Sequence, residues 1–259
     1  MTASPTFPRA IGPVLAGLVL VALSACDVPD LGRPRPAAAA TPKAGPVHAV
    51  ATVERPGPIT WNAAAGAFEY QGLPLRAEKL WTFEGATDGF VMATGDFAPA
   101  PGQGLVVTGV KPGGILRSPS GLHVEGATRP YLLVRLTRLK PGKGWDGRVY
   151  YSTASHGETV DFFNTPASGA DPKVNETVVL AYDMHALAAG GADWKSSKIE
   201  QVRIDLDGAP GGAFLIREVA IAQSPQAAIA AAQPKPPPRQ PTLTLPDRPV
   251  AEKVADTEN

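Results

Sequence analysis

The chain has almost no cysteine, and this scarcity excludes several classes of site. Its 259 residues contain a single cysteine, Cys26, so an intramolecular disulfide cannot form. Structural zinc and iron–sulfur sites that need several thiolates are excluded for the same reason. Charge is also scarce, since charged residues make up 19% of the chain and the formal net charge is zero. A neutral chain offers no electrostatic basis for binding nucleic acid, and we expect no nucleic-acid partner.

Cys26 lies at the end of the one long apolar stretch near the N-terminus. Arg9 and the chain amine form a weakly positive start, and residues 11–25 are almost all apolar and small. This stretch is too short to span a bilayer as a mature helix. A positive start, an apolar middle and small residues at the end are typical of a signal peptide.

The four residues Leu23-Ser24-Ala25-Cys26 resemble the lipobox of bacterial lipoproteins. In that family the cysteine is acylated and becomes the first residue of the mature chain. The resemblance implies a signal peptide at 1–25, a palmitate-bearing membrane anchor at Cys26, and a place in the bacterial cell envelope, facing the periplasm or the outer surface. Several acyl chains hold a protein stably on a membrane where one does not. Plain secretion and a retained transmembrane anchor are the alternatives.

Proline and aromatic residues divide the remaining chain into three parts. Residues 28–58 and 233–259 hold seven prolines each, whereas residues 59–232 hold every tryptophan, every tyrosine and seven of the eight phenylalanines. Proline-rich polar segments bury too little apolar surface to offset the entropy of an ordered chain. We therefore predict a tether at 26–58, a globular domain at 59–225, and a short helix followed by a disordered tail at 226–259.

Alternating apolar and polar residues run through the predicted domain. One strand-like segment has Leu132, Val134 and Leu136 on one side and Tyr131, Arg135 and Thr137 on the other. Val202 and Ile204 repeat the pattern in a second segment. A period of two with one apolar face predicts strands of antiparallel sheets. Glycine- and proline-containing turns recur between the strands, which favours a sandwich or a barrel.

The order of these segments resembles jelly-roll β-sandwiches of the galactose-binding-like kind. The resemblance covers about residues 78–223. It is carried by "LWTFEGATDGF", by "YLLVRLTR", and above all by the closing "LAYDMHALAAGGADWKSSKIEQVRIDLDGAPGGAFLIREVAIA". The fold class it implies is all-β, an antiparallel jelly-roll β-sandwich with a disordered N-terminal tether and C-terminal tail. Many carbohydrate-binding modules belong to this group, although such a fold also hosts protein-binding and structural roles.

Four residues are the candidates for binding a ligand. Trp145 lies in the loop "KPGKGWDG", where a tryptophan is harder to bury, and Arg148 can donate hydrogen bonds beside it. Tyr150 and Tyr151 point to opposite faces of the next strand, so we expect one of them to face outward. Sugars bind through aromatic faces flanked by hydrogen-bonding groups. The alternative for Trp145 is a loop tryptophan that folds back over a sheet edge.

Catalytic and metal chemistry have weaker support. His156, Glu158 and Asp161 stand close together in "SHGETVDF", but a polar hairpin tip explains them better than a metal or acid–base site. Asp205 and Asp207 alternate with apolar residues, which is typical of a solvated strand face rather than of a pair of glycosidase carboxylates. We therefore predict no catalytic residue, no metal site and no cofactor.

These observations favour a membrane-anchored envelope lipoprotein that is not an enzyme. Its β-sandwich is expected to bind a glycan or a protein partner of the envelope. Two alternatives stay open. One is a polysaccharide-active enzyme on the same scaffold, and the other is a structural subunit of an envelope complex whose proline-rich tail engages a partner.

Overall fold

A computed structural model describes residues 51–108, 114–167, 171–208 and 210–234. Sixteen strands and two short helices account for its regular structure. In chain order these elements are β1 (Val53–Glu54), β2 (Ile59–Asn62), β3 (Ala67–Tyr70), β4 (Leu73–Pro74), β5 (Ala77–Trp81), β6 (Val91–Met92), β7 (Asp96–Ala100), β8 (Gly104–Thr108), β9 (Ile115–Arg117), β10 (Val124–Glu125), β11 (Tyr131–Lys140), β12 (Val149–Thr153), β13 (Phe163–Asn164), β14 (Glu176–Asp183), α1 (Asp193–Ser196), β15 (Lys198–Asp205), β16 (Ala213–Ala222) and α2 (Pro225–Ala232).

The strands form two large sheets and one small one. The first sheet has the order β1-β14-β11-β16-β8-β7, and β5 also pairs with β16. The second has the order β13-β12-β15-β9-β6, and β10 also pairs with β15. Strands β2, β3 and β4 form the third sheet. Neighbouring strands are antiparallel except for the parallel pair β1 and β14. From β11 onward the long strands alternate between the two large sheets.

The main hydrophobic core lies between the two large sheets. Leu132, Val134 and Leu136 of β11 are fully buried in it, and they meet Val202 and Ile204 of β15 from the opposite sheet. The predicted apolar faces of these strands are therefore the inner faces of a sandwich. This confirms the all-β antiparallel sandwich inferred from the alternation.

A second hydrophobic cluster covers part of the outer side of the first sheet. Phe68 of β3, Leu75 just after β4, and Ala228 of α2 pack there against Leu133 and Ala220. The small alanines of β16 leave room for these rings and aliphatic side chains to approach the sheet. Among the described residues, the second sheet has no such cluster on its outer side. In the described part of the chain, packing of this kind is therefore found on the outer side of the first sheet.

The two ends of the described chain are attached to the sandwich. Strand β1, within the predicted tether, pairs with β14, and Arg55 forms an ion pair of 2.6 Å with Glu176. At the other end, Ser224 caps the first turn of α2 by accepting a hydrogen bond from the amide of Ala227, as N-cap serines commonly do. Cys26 and most of the predicted tail lie outside the described residues. In the part of the chain that is described, no helix is long and apolar enough to cross a membrane.

Candidate functional site

The outer surface of the second sheet carries a row of large polar and aromatic side chains, which we call the open face. Arg117 of β9, Tyr150 of β12, Phe163 of β13 and Arg203 of β15 define it, together with Arg148, which precedes β12 and lies against Tyr150 and Phe163. Arg203 is the register partner of both Tyr150 and Arg117, and Tyr150 is also the partner of Phe163. Because paired residues project to the same side of a sheet, the four side chains form one continuous row.

Guanidinium groups cover the rings of this row. The guanidinium carbon of Arg203 lies 4.4 Å from the centre of the Tyr150 ring, and that of Arg148 lies 5.6 Å from the Phe163 ring. Nη1 of Arg148 also donates to the Tyr150 hydroxyl at 3.3 Å. Such contacts attract the cation to the electron-rich face of the ring. They also leave Tyr150 only 4% exposed, so guanidinium planes make up much of the outermost surface.

Three carboxylates hold these guanidinium groups in place. Arg203 donates two hydrogen bonds of 2.6 Å to the two oxygens of Asp205, a bidentate geometry that fixes orientation. Glu158, from the loop after β12, accepts from Arg117 at 2.9 Å and reaches within 3.8 Å of Arg203. Arg148 pairs with Asp146 at 2.9 Å.

The charges of the open face therefore balance. Three arginines face three carboxylates, and each arginine has at least one acidic partner. Burial raises the pKa of Asp205, while the hydrogen bonds and charge of Arg203 oppose that rise. The face is thus a neutral, rigid surface that offers planar groups, spare carboxylate lone pairs and N–H donors. These are the groups that recognise a hydroxyl-rich ring.

The structure brings together two of the four residues proposed as ligand contacts. Arg148 and Tyr150 both belong to the open face and touch each other. Tyr151 points the other way and is completely buried, and its hydroxyl donates to Asp193 at 2.9 Å. Burial, with this hydrogen bond, raises the pKa of Tyr151. The expectation that the two tyrosines point to opposite faces, with one of them facing outward, agrees with this geometry, although the outward Tyr150 is only 4% exposed.

Trp145 does not lie on the open face. Its half-buried ring packs against the main core, with its centre 5.9 Å from the Phe214 ring and 5.9 Å from the guanidinium carbon of Arg138. Gly147 makes this position possible, because a Cβ there would lie 2.6 Å from the Trp145 ring. Trp145 thus folds back over the sheet edge. This is the alternative that the sequence left open for it, in place of contact with a ligand.

The cluster in "SHGETVDF" is divided among three environments. His156 stacks on Phe162 with ring centres 3.7 Å apart, and its Nε2 lies 2.9 Å from Asp193. Glu158 turns to the arginines of the open face, and Asp161 is exposed. No group of three histidine, cysteine or acidic side chains in the described part of the chain is arranged to hold a metal.

Asp205 and Asp207 also separate. Asp205 lies on the open face, whereas Asp207 is 1% exposed and lies beside Arg138. The expectation that both belong to a solvated strand face is wrong. Strand β15 ends at Asp205, so its alternation does not extend to Asp207.

Sequence reasoning missed Arg117, Phe163 and Arg203 as members of the site. The alternation of β15 did place Arg203 on its polar face, and this was the one signal available. Nothing in the local pattern shows that Arg117, 86 positions earlier in the chain, is its neighbour. Strand partners are set by long-range packing, which the period of a single strand does not encode.

Comparisons with known proteins add little to this description. No family model matches the chain, and no curated protein matches it. Among solved structures there is a similarity to the N-terminal cellulose-binding domain of β-1,4-glucanase C from Cellulomonas fimi. It covers 55% of this chain and 92% of that one, at 18% identity and a TM-score of 0.32. A match of this extent does not indicate what the present chain binds.

Proposed function

We propose that this protein is a non-catalytic glycan-binding lipoprotein of the bacterial cell envelope, and that the open face is its binding surface. The observation that carries the proposal is the row formed by Phe163, Tyr150, Arg203 and Arg117 across the outer side of the second sheet. The lipid anchor at Cys26 and the envelope location rest on the lipobox resemblance alone.

The physical argument for a glycan is the combination of flat groups with bidentate polar groups on rigid strands. A sugar ring has apolar C–H faces and an equatorial rim of hydroxyls. The guanidinium plane of Arg203, which lies over the buried Tyr150 ring, can support a face, while Asp205 and Glu158 can accept hydrogen bonds from hydroxyls. Since the side chains are held by one another before binding, little conformational entropy is lost on association.

A hydrolytic enzyme is the second candidate, and one specific contact favours it. Asp205 and Glu158 both approach the Arg203 guanidinium, so two carboxylates converge on the open face. We nevertheless favour binding. Both oxygens of Asp205 accept hydrogen bonds from Arg203, and Glu158 is paired with Arg117, so each carboxylate is already engaged by a guanidinium group. Release of reducing ends from a bound polysaccharide, lost on Asp205→Asn, would support the enzyme instead.

The binding test uses the full-length chain in detergent on an array of envelope and plant-type glycans, followed by calorimetry with the best ligand. Arg203→Gln removes the guanidinium from the centre of the row, and we expect at least a tenfold loss of affinity, as for central interface anchors. Arg55→Gln is the matched control, because Arg55 also forms a carboxylate ion pair but follows β1, at the edge of the first sheet. It should change affinity less than about twofold.

Two outcomes would contradict the proposal. If the wild-type chain binds no glycan on the array, an envelope protein becomes the better candidate partner. If glycan binding is equal in the wild type and Arg203→Gln, the ligand does not use the open face. Melting temperatures of both variants show whether each chain is folded.

A further inference from the structure

A second concave site lies on the other side of the sandwich, and we call it the Trp61 cleft. It is a cavity of about 390 Å³ between the third sheet and the outer side of the first sheet. Trp61 forms part of one wall, Gln103 part of another, and Arg135, Arg217 and Glu218 form the floor. Its volume falls within the range of small-molecule sites, roughly 300–1,000 Å³.

A β-bulge builds the floor of the cleft. Arg135 pairs with Glu218, but the next residue of β11 pairs with Ile216, so Arg217 is an extra residue in β16. Arg217 and Glu218 consequently both line the cleft instead of alternating between the two sides of the sheet. Gly104 lets β8 approach this point closely, because a Cβ there would lie 2.2 Å from the Ile216 carbonyl oxygen. Bulges of this kind commonly re-aim a side chain beside a functional site.

The two arginines of the floor differ in their ionic partners. Arg135 donates to Glu218 at 2.9 Å and also pairs with Glu54. Arg217 donates through Nε to the hydroxyl of Thr137 at 2.9 Å, and among the described residues it has no carboxylate within ion-pair distance. Burial and the nearby charge of Arg135 lower the pKa of Arg217. A half-buried cation without an ionic partner is costly to the folded protein.

Nearby carboxylates compensate Arg217 only in part, because the charges of Glu218 and Glu54 oppose the lowering of its pKa and neither forms an ion pair with it. Glu218 is already paired with Arg135, and Glu84 is an exposed residue at the rim. Trp61 is held by an edge-to-face contact with Phe68, with ring centres 5.1 Å apart. The cleft therefore places a fixed aromatic ring and an incompletely paired guanidinium in one cavity.

We propose that the Trp61 cleft binds an acidic saccharide, with the sugar carboxylate at Arg217 and the sugar ring against Trp61. A guanidinium fork matches a carboxylate in geometry as well as in charge. Thr82, which also lines the cleft, supplies a group for a ring hydroxyl. This site is separate from the open face, and it can bind an acidic saccharide whether or not the open face binds a glycan.

The test is isothermal titration calorimetry of the full-length chain with three probes. Digalacturonate carries carboxylates on its sugar rings. Its methyl ester has the same rings without the charge, and cellobiose is a neutral disaccharide that has no carboxyl group. We expect digalacturonate to bind at least tenfold more tightly than either neutral probe. Galacturonate monomer and acetate, compared in the same way, show whether the ring contributes beyond the carboxylate.

Variants assign the binding to the cleft. Arg217→Gln should weaken digalacturonate at least tenfold and leave the melting temperature of the free protein equal or higher, because a poorly compensated cation is removed. Arg217→Lys should restore part of the affinity, and Arg203→Gln on the open face should leave it unchanged. Equal affinity for the acid and its ester, or equal affinity in Arg217→Gln and the wild type, would overturn the proposal. Loss of binding in Arg203→Gln alone would assign the acid to the open face.

Discussion

Asp207 should make the stability of this protein depend on pH in an unusual direction. Its side chain is completely buried, and Oδ1 accepts a hydrogen bond from Arg138 at 3.3 Å. Oδ2 has no hydrogen-bond partner among the described residues. It lies between Gly142 and Gly212, where a Cβ would approach it to 2.0 and 1.8 Å. Only glycine at these two positions leaves room for the carboxyl group.

Burial raises the pKa of Asp207 from 3.8 to about 6, although the charge of Arg138 acts in the opposite direction. One pKa unit corresponds to about 1.4 kcal/mol, so the shift corresponds to about 3 kcal/mol. Because the folded-state pKa is the higher one, the folded state binds this proton more tightly than the unfolded state does. The stabilisation is complete below about pH 4 and is lost as pH rises to about 6.

The perturbation is Asp207→Asn, which keeps the shape and removes the titration. We expect the free energy of unfolding of the variant, relative to the wild type, to increase by about 3 kcal/mol between about pH 3.5 and about pH 7. The variant also loses the carboxylate that pairs with Arg138, and this shifts its free energy of unfolding by the same amount at every pH. It therefore does not alter the expected dependence on pH. Urea unfolding at several pH values measures it, and Asp161→Asn, an exposed carboxylate, is the matched control. Parallel curves for Asp207→Asn and the wild type would refute the reasoning.

Two further predictions concern the loop tryptophan and the anchor. Trp145→Ala should lower the free energy of unfolding by about 2 kcal/mol, because a half-buried ring that packs on Phe214 and Arg138 is lost, and it should leave glycan affinity within twofold of the wild type. A large loss of affinity with unchanged urea stability would return Trp145 to the binding site. Cys26→Ser should abolish incorporation of labelled palmitate in cells and leave the precursor unprocessed, and equal labelling of mutant and wild type would contradict the anchor.

The candidate site shows where sequence reasoning stops. Arg148 and Tyr150 were found because they are close in sequence and of the right types, and they do touch. Tyr151 was the alternative to Tyr150, because neighbouring strand residues point to opposite faces and the local pattern does not decide which of the two faces outward. Trp145 was selected as a tryptophan in a loop, but Gly147 allows its ring to pack against the core. Residue type and spacing indicated the chemistry of the open face, but they did not show which residues form it.

The sequence by itself determined that this chain forms antiparallel sheets with a shared core. The reason is that a period of two is a local property, and Leu132, Val134 and Val202 display it without reference to their partners. Only the tertiary structure decided that Arg203 lies between Tyr150 and Arg117, and that a bulge aims Arg217 into a cleft. Register and bulges depend on which strands pair and how closely they pack, and those contacts join residues that are far apart in the chain.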